Sequence, residues 1–357
     1  MPLSLTLAVP GDLTTQTGGY VYDRRLVESL RALGAEVAVL RLPEGFPDPG
    51  PVAMAEAVDM LASLPADAPV IIDGLAFGAL PPEGVARVAA PIIALVHHPL
   101  ALETALDPAL AQSLRARETA NLAQARHVFV PSPHTGAVLA ESYGVPEGQM
   151  TVLIPGTDRP APPVAPALPE GADQDSPLIL SVGILHPRKG HDVLIDALAR
   201  IADLPWRAVI AGTPREEAYA AALAAQVEAA GLGARIRLAG QVSDAERDAL
   251  YRAAGVFALA TRYEGYGIVF NEALLHGLPI VTCRTGAVPD TVPPETGLLV
   301  PPDDAAAFAD ALRLLIDDRP RRAAMARASA RAGAALPSWA ETARKAAGVL
   351  SALRGQP

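Results

Sequence analysis

The strongest constraint on the fold is an alternation of short apolar strands and helical segments that runs along the chain twice, interrupted once by proline. In the first run, residues 3–9 are mainly apolar and end at Pro10-Gly11-Asp12, as a buried strand does where it meets a turn. Residues 20–33 repeat with a helical period that puts Val21, Leu26, Val27, Leu30 and Leu33 on one face, and Gly34 closes the segment. Short strands follow at 36–40, 70–73, 92–96 and 127–130, with helical segments between several of them. This repetition implies a parallel sheet with helices on both faces, because only a crossover connection returns the chain to a parallel neighbour.

Seven of the 23 residues from 155 to 177 are proline. Proline favours extended chain and cannot donate to a ladder, so the segment reads as a semi-extended linker and as the domain boundary. Beyond it the alternation restarts, with strands at 178–182, 207–211, 236–238, 256–259 and 280–282 and helices at 193–201, 216–230, 244–253 and 269–276. An Ala- and Arg-rich helical stretch covers 304–335, and a last helix starts at Ser338. The expected architecture is α/β, with two doubly wound parallel-sheet, Rossmann-like domains over 1–172 and 173–335, and a C-terminal helix over 336–357 returning to the first domain. A length of 357 residues suits two such domains. Domains of this type take ligands outside the carboxyl ends of their strands, in a cleft between the two.

Charge narrows the partners. The net charge of −10 argues against nucleic acid and, more weakly, against an anionic membrane surface. It is unevenly spread: residues 1–172 hold 9 Arg, no Lys and 18 acidic residues, leaving the second half near neutral at −1. An anionic ligand is better received there. One cysteine, Cys283, excludes an internal disulfide and a cysteine-based zinc site. No apolar stretch reaches the roughly 18 residues of a membrane span. The first ten residues lack the basic start of a signal peptide. A cytoplasmic protein with at most peripheral membrane contact is expected.

Four segments could carry chemistry. Gly18-Gly19 follow the first strand and open a helix, which aims free N–H groups and a helix dipole at an anion; a plain flexible turn is the alternative. Residues 183–190, Gly-Ile-Leu-His-Pro-Arg-Lys-Gly, put Arg188 and Lys189 on the loop after the first strand of the second run. Only two lysines occur among 29 basic residues, and one of them is Lys189, whose compact charge suits a phosphate oxygen. Glu264 and Glu272 flank Gly265-Tyr266-Gly267-Ile268, where glycines permit close approach of backbone N–H groups and carboxylates can accept from sugar hydroxyls. Finally, His97-His98 end the strand at 92–96. No metal-ligand spacing, G-x-S-x-G elbow or G-x-G-x-x-G fingerprint accompanies them, so neither a metal site, a serine hydrolase nor a dinucleotide site is supported.

Together these residues resemble glycosyltransferase family 4, retaining nucleotide-sugar transferases of the GT-B fold, over nearly the whole chain. The resemblance rests most on the E-x7-E segment from Glu264 to Glu272. Pro187-Arg188-Lys189-Gly190, Gly18-Gly19, His97, Pro155-Gly156-Thr157-Asp158 and the stretch 297–303 add to it. It implies an acceptor-binding first domain and a donor-binding second domain. Lys189 would hold the donor diphosphate, Glu264 the hydroxyls of the transferred sugar, and Glu272 the ribose. Gly183 and the backbone N–H groups of Gly265, Tyr266, Gly267 and Ile268 would line the donor. Gly18 and Gly19 would approach it from the first domain, Gly19 at the diphosphate, with His97 by the transferred sugar and His98 as the second candidate. Many members carry Gly-Arg where this chain has Gly183-Ile184; Arg188, the only nearby guanidinium in the sequence, is assigned in its place.

His97, Arg188, Lys189 and Glu264 then form the catalytic set. The cations and a helix dipole stabilise the leaving diphosphate, and domain closure excludes water. No side chain stands as a covalent nucleophile, so the resemblance implies same-face attack with retention and needs neither metal nor other cofactor. The acceptor would be a glycan, glycolipid or small molecule. An acidic first domain, with Arg41 the one basic residue from 41 to 64, favours a soluble or polysaccharide acceptor, or a lipid-linked one met without strong electrostatic docking. The Ala-rich, Arg-for-Lys composition suggests a GC-rich bacterial source, and the resemblance implies glycan or glycoconjugate synthesis there. The alternatives are a phosphorylase or nucleotide-sugar epimerase on the same fold, or a non-catalytic nucleotide-sugar-binding subunit.

Overall fold

The computed structural model of the chain describes residues 3–15, 17–103, 106–159 and 176–354. It divides into two compact units, Met1–Gly156 with Pro337–Pro357, and Thr157–Leu336. Most of the proline-rich segment, and the 172/173 boundary placed within it, lies outside the described residues.

The first unit runs β1 (Ser4–Pro10), α1 (Gly18–Ala32), β2 (Glu36–Leu42), α2 (Gly50–Ala62), β3 (Val70–Asp73), α3 (Gly74–Phe77), α4 (Pro82–Val85), β4 (Ile92–Leu95), α5 (Pro108–Leu122), β5 (His127–Val130), α6 (Pro133–Tyr143) and β6 (Met150–Val152). Its sheet has the order β2-β1-β3-β4-β5-β6, all pairs parallel. Strands β3, β4 and β5 are buried at every position, which is why they read as unbroken apolar runs rather than alternating ones. From β1 the chain goes to β2 on one side and then to β3 on the other, so the order reverses at the carboxyl ends of β1 and β3. That is where a doubly wound sheet leaves a crevice for ligand.

The second unit repeats the plan with β7 (Leu178–Val182), α7 (His191–Arg200), β8 (Arg207–Ala211), α8 (Glu217–Ala229), β9 (Ile236–Gly240), α9 (Asp244–Ala253), β10 (Val256–Leu259), α10 (Ile268–Leu275), β11 (Ile280–Cys283), α11 (Val288–Thr291), β12 (Gly297–Val300), α12 (Ala305–Asp317) and α13 (Arg319–Ala334). The parallel order β12-β11-β10-β7-β8-β9 reverses between β7 and β10. The final helix, α14 (Trp339–Arg354), belongs to the first unit. It buries Trp339, Ala343, Ala346 and Leu350 along one stripe. Burying each large apolar side chain contributes about 2–3 kcal/mol. The Thr342 hydroxyl and the Lys345 ammonium donate to the carbonyls of Ile154 and Val152, each at 2.8 Å.

The α/β class, the paired parallel sheets and their helices match the sequence expectation. Three details differ. The buried face of α1 is Tyr22, Asp23, Leu26, Val27 and Leu30, whereas Leu33 caps the helix and is 43% exposed. The stretch 304–335 is two helices, because Asp318 ends α12 and its carboxylate accepts from the Arg321 N–H, with Pro320 in the first turn of α13. Two edge strands, β6 and β12, carry too little pattern to be read: one has three residues, all half-buried, and the other opens on glycine.

Glu118 in α5 is completely buried and accepts from the Leu100 N–H at 3.1 Å. Burial pushes its carboxyl up to about 8. A carboxyl whose folded value lies above its unfolded one favours the fold at low pH, and that contribution is lost as pH rises through the folded value. The wild-type Tm should therefore fall relative to Glu118→Gln as pH rises from about 5 to about 9. A difference that stays constant with pH would show that the carboxyl is not held in this way.

Candidate functional site

In the second unit the loops leaving β7 and β10 meet at the switch point. After β7, the His186 side chain accepts from the Arg188 N–H, Pro187–Lys189 form one tight 3-10 turn, and Gly190 closes it at φ 62°. A side chain at Gly190 would collide with the Ala260 carbonyl at the exit of β10, so only glycine lets the two loops pass. This crossing brings Lys189 Nζ to 2.5 Å from Glu264 Oε1, although the residues lie 75 apart in the chain. The Thr261 hydroxyl donates to the same oxygen at 3.0 Å. Arg188 Nη1 donates to the Tyr263 carbonyl at 3.2 Å.

Glu264 is 4% exposed. Burial opposes its charge, but Lys189 and Arg188 outweigh burial and hold the carboxyl below the usual glutamate range. Two cations therefore face one carboxylate at the exit of β7, a pairing that an anion could join.

A second guanidinium reaches this loop, contrary to the sequence reading that gave Arg188 alone. Arg262 donates to the Pro187 carbonyl, to Asp192 Oδ2 at 2.7 Å and to Asp303 Oδ1 at 2.7 Å, and its backbone N–H bonds the Arg188 carbonyl at 2.8 Å. It clamps the turn that presents Lys189. Gly183 lies against the Lys189 side chain.

Gly267, at φ 89°, starts α10. The Tyr266 hydroxyl is engaged with the buried Asn271 side chain at 2.9 Å, so that ring is tied into the protein. Glu272 is not in contact with the Lys189–Glu264 pair: its Oε1 is 3.7 Å from Arg247, and burial raises its carboxyl against the pull of Arg247.

In the first unit, Gly19 sits in the first turn of α1, and a Cβ there would lie 3.4 Å from the His97 ring. Gly18 opens the helix into free space. His97 Nε2 is 2.8 Å from Asp23 Oδ1 and 3.7 Å from Asp73 Oδ2. The Tyr22 ring stands edge-on to it at 4.9 Å. Burial and the Asp23 carboxylate push Asp73 up to about 7. Burial alone would lower His97, yet Asp23, with Asp73 adding to it, raises it. His98 is half-buried beside it. Among the described residues, Asp23, Asp73 and His97 bring three potential metal-ligand atoms within 4.8 Å. His97 Nε2 is already hydrogen-bonded to Asp23, so the group is arranged as an imidazole–carboxylate cluster.

The sequence reading missed Asp23, Asp73, Thr261, Arg262, Asp192 and Asp303. Asp23 had a signal: it falls three and four residues before Leu26 and Val27, on the apolar face. Asp73 had another, as the charged end of an otherwise apolar buried strand.

Comparison with known proteins bears on the sequence of the second unit and on the fold. Residues 169–332 match the family model of glycosyl transferases group 1. A D-inositol 3-phosphate glycosyltransferase from Kineococcus radiotolerans is 34% identical over 245 residues, covering 61% of this chain and 56% of that protein. The lipopolysaccharide core biosynthesis mannosyltransferase LpsB of Rhizobium meliloti is 35% identical over 163 residues, 43% of this chain and 45% of its own. The chain thus spans about half the length of these curated relatives. A sucrose-phosphate synthase from Thermosynechococcus elongatus superposes with a TM-score of 0.77 at 21% identity, covering 98% of this chain and 99% of that one. The Anabaena protein HepE, solved with UDP and glucose, gives 0.75 at 17% identity over 98% of this chain and 100% of its own. The class so defined is the GT-B glycosyltransferase architecture. The match to glycosyl transferases group 1 falls on its second unit.

Removing one partner of a buried ion pair leaves the other uncompensated. Lys189→Met should cost about 2–3 kcal/mol in urea unfolding at neutral pH, and the double change Lys189→Met with Glu264→Gln should recover most of it. Because Glu264 is held below its unfolded value, the stabilisation is present above the unfolded glutamate range and is lost as pH falls through the folded value. Additive effects in the double variant would contradict the coupling.

Proposed function

We propose that this chain transfers a sugar from a nucleotide-diphosphate sugar to an acceptor hydroxyl with retention of anomeric configuration. The observation that carries the reading is the two-cation loop paired to a buried glutamate at the carboxyl ends of β7 and β10, beside the glycine-led start of α10. Breaking the bond between sugar and diphosphate builds negative charge on the leaving group. Lys189 and Arg188 are fixed beforehand to receive that charge, without reorganisation during the reaction. Glu264 serves twice: it holds Lys189 in place, and its carboxylate accepts hydroxyls of the transferred sugar. Glu272 takes the ribose, and His97 is assigned to recognition of the sugar. The acceptor's proton leaves with the departing phosphate, so no side-chain base is required. The family match, the mannosyltransferase named among the relatives and the UDP-bound structural neighbour support a nucleotide-sugar donor. The reaction as proposed proceeds without a metal ion.

The test is transfer from UDP-, GDP-, ADP- and TDP-linked hexoses to a panel of glycans and polyols in EDTA, with product anomers assigned by NMR. One donor should yield a product of unchanged anomeric configuration. Lys189→Ala should lower kcat on the order of 100-fold or more. Inverted product would sink the retaining mechanism. Sugar phosphate formed from added phosphate, or isomerised donor without acceptor, would replace transfer by the corresponding phosphorylase or epimerase chemistry.

A further inference from the structure

The surroundings of His97 say more than its position. Both acids that reach its ring do so through one nitrogen, Nε2, from two different elements: Asp23 of α1 at 2.8 Å and Asp73 at the end of β3 at 3.7 Å. Asp23 is 1% exposed, and its second oxygen, Oδ2, is buried without a hydrogen-bond partner. The other groups around the ring are Tyr22 of α1, whose hydroxyl is spent on the Leu153 carbonyl at 2.8 Å, the backbone of Gly19, and His98 next in the chain. An aspartate is costly on the buried face of a helix unless something nearby needs it.

We infer that Asp23 is a positioning residue for His97: it grips the ring by Nε2–H and, with Asp73, keeps it an imidazolium, so that the opposite Nδ1–H edge is left to donate to an oxygen of the bound ligand. Two carboxylates at one nitrogen favour a ring carrying both protons, and the bond to Asp23 fixes which edge is turned away. One imidazolium balances only one carboxylate. The one remaining negative charge is relieved by proton uptake, in accord with the Asp73 carboxyl lying at about 7 through burial and the nearby Asp23. The link between Asp23 and His97 stands on the first unit alone. Its role toward a donor sugar rests on the proposed function.

The experiment follows the imidazole C2–H signals by NMR across pH in wild type, Asp23→Asn and Asp73→Asn, with His97→Gln to assign the resonance. In wild type the His97 midpoint should lie above the ordinary value of about 6.5. Asp23→Asn, whose amide oxygen can still accept from Nε2–H, should lower it by about one unit or more, and Asp73→Asn by less. A midpoint below the ordinary value in wild type, or one unmoved in a folded Asp23→Asn protein, overturns the inference. Should Asp23→Asn fail to fold, the wild-type midpoint and the smaller Asp73→Asn shift still decide it.

The second arm is the pH profile of kcat/KM. Transfer should decline as pH rises through the His97 midpoint, and Asp23→Asn should move that decline to lower pH while retaining activity in acid. A displaced midpoint with an unmoved profile overturns the role toward the ligand. A displaced midpoint in a protein that transfers nothing from any nucleotide sugar upholds the Asp23–His97 link and removes the functional reading instead.

Discussion

An ammonium 2.5 Å from a carboxylate that is 4% exposed is the contact on which the second unit's polar end depends. Neither group could be buried without the other. Their meeting requires β7 and β10 to be sheet neighbours despite the intervening β8 and β9, which the reversal of strand order supplies. It requires a glycine at 190 so that one loop can cross the other. It also requires the turn to be held, which Arg262 does through Asp192, Asp303 and the Pro187 carbonyl. The pair therefore ties strand topology to charge. It gathers the Arg188 and Lys189 cations at the exit of β7, in a chain whose net charge is −10.

The first unit uses the same sheet plan with the opposite charge balance. At its switch point one imidazole meets two carboxylates, and the helix that opens with Gly18-Gly19 supplies one of them. Gly19 lets the ring lie close to α1. The helix start and the histidine are thus parts of one constellation. The tie from Lys345 to Val152 and the stripe from Trp339 to Leu350 fasten α14 against the same unit, and Tyr22 joins the two features by touching both the His97 and Trp339 rings.

Much of this was legible because parallel strands buried on both faces are written as short apolar runs. Val70-Ile71-Ile72 and Ile92-Ile93-Ala94-Leu95 admit few other readings. The loops carrying Lys189, Glu264, Gly19 and His97 were legible for a different reason: glycine, proline and rare lysine stand out against an Ala- and Leu-rich background. What escaped notice depends on contacts between distant parts of the chain. Arg262 looks like one surface arginine among many until Asp192 and Asp303 close on it. Asp23 was passed over because a helical face was drawn through Leu33, a residue that proves to be the exposed helix end. Short edge strands escaped because three or four half-buried residues carry little periodic signal.

The central claim is that the Lys189 loop is an anion site for a nucleoside diphosphate. The most direct test is isothermal titration of UDP, GDP, ADP and TDP into the intact protein in EDTA, with Lys189→Ala and Arg188→Ala run alongside and their folds checked by circular dichroism. The account predicts that one of these nucleotides binds and that each substitution weakens it, Lys189→Ala by about 30-fold, or roughly 2 kcal/mol. Binding of equal strength in wild type and Lys189→Ala, or no binding of any of the four, would contradict it.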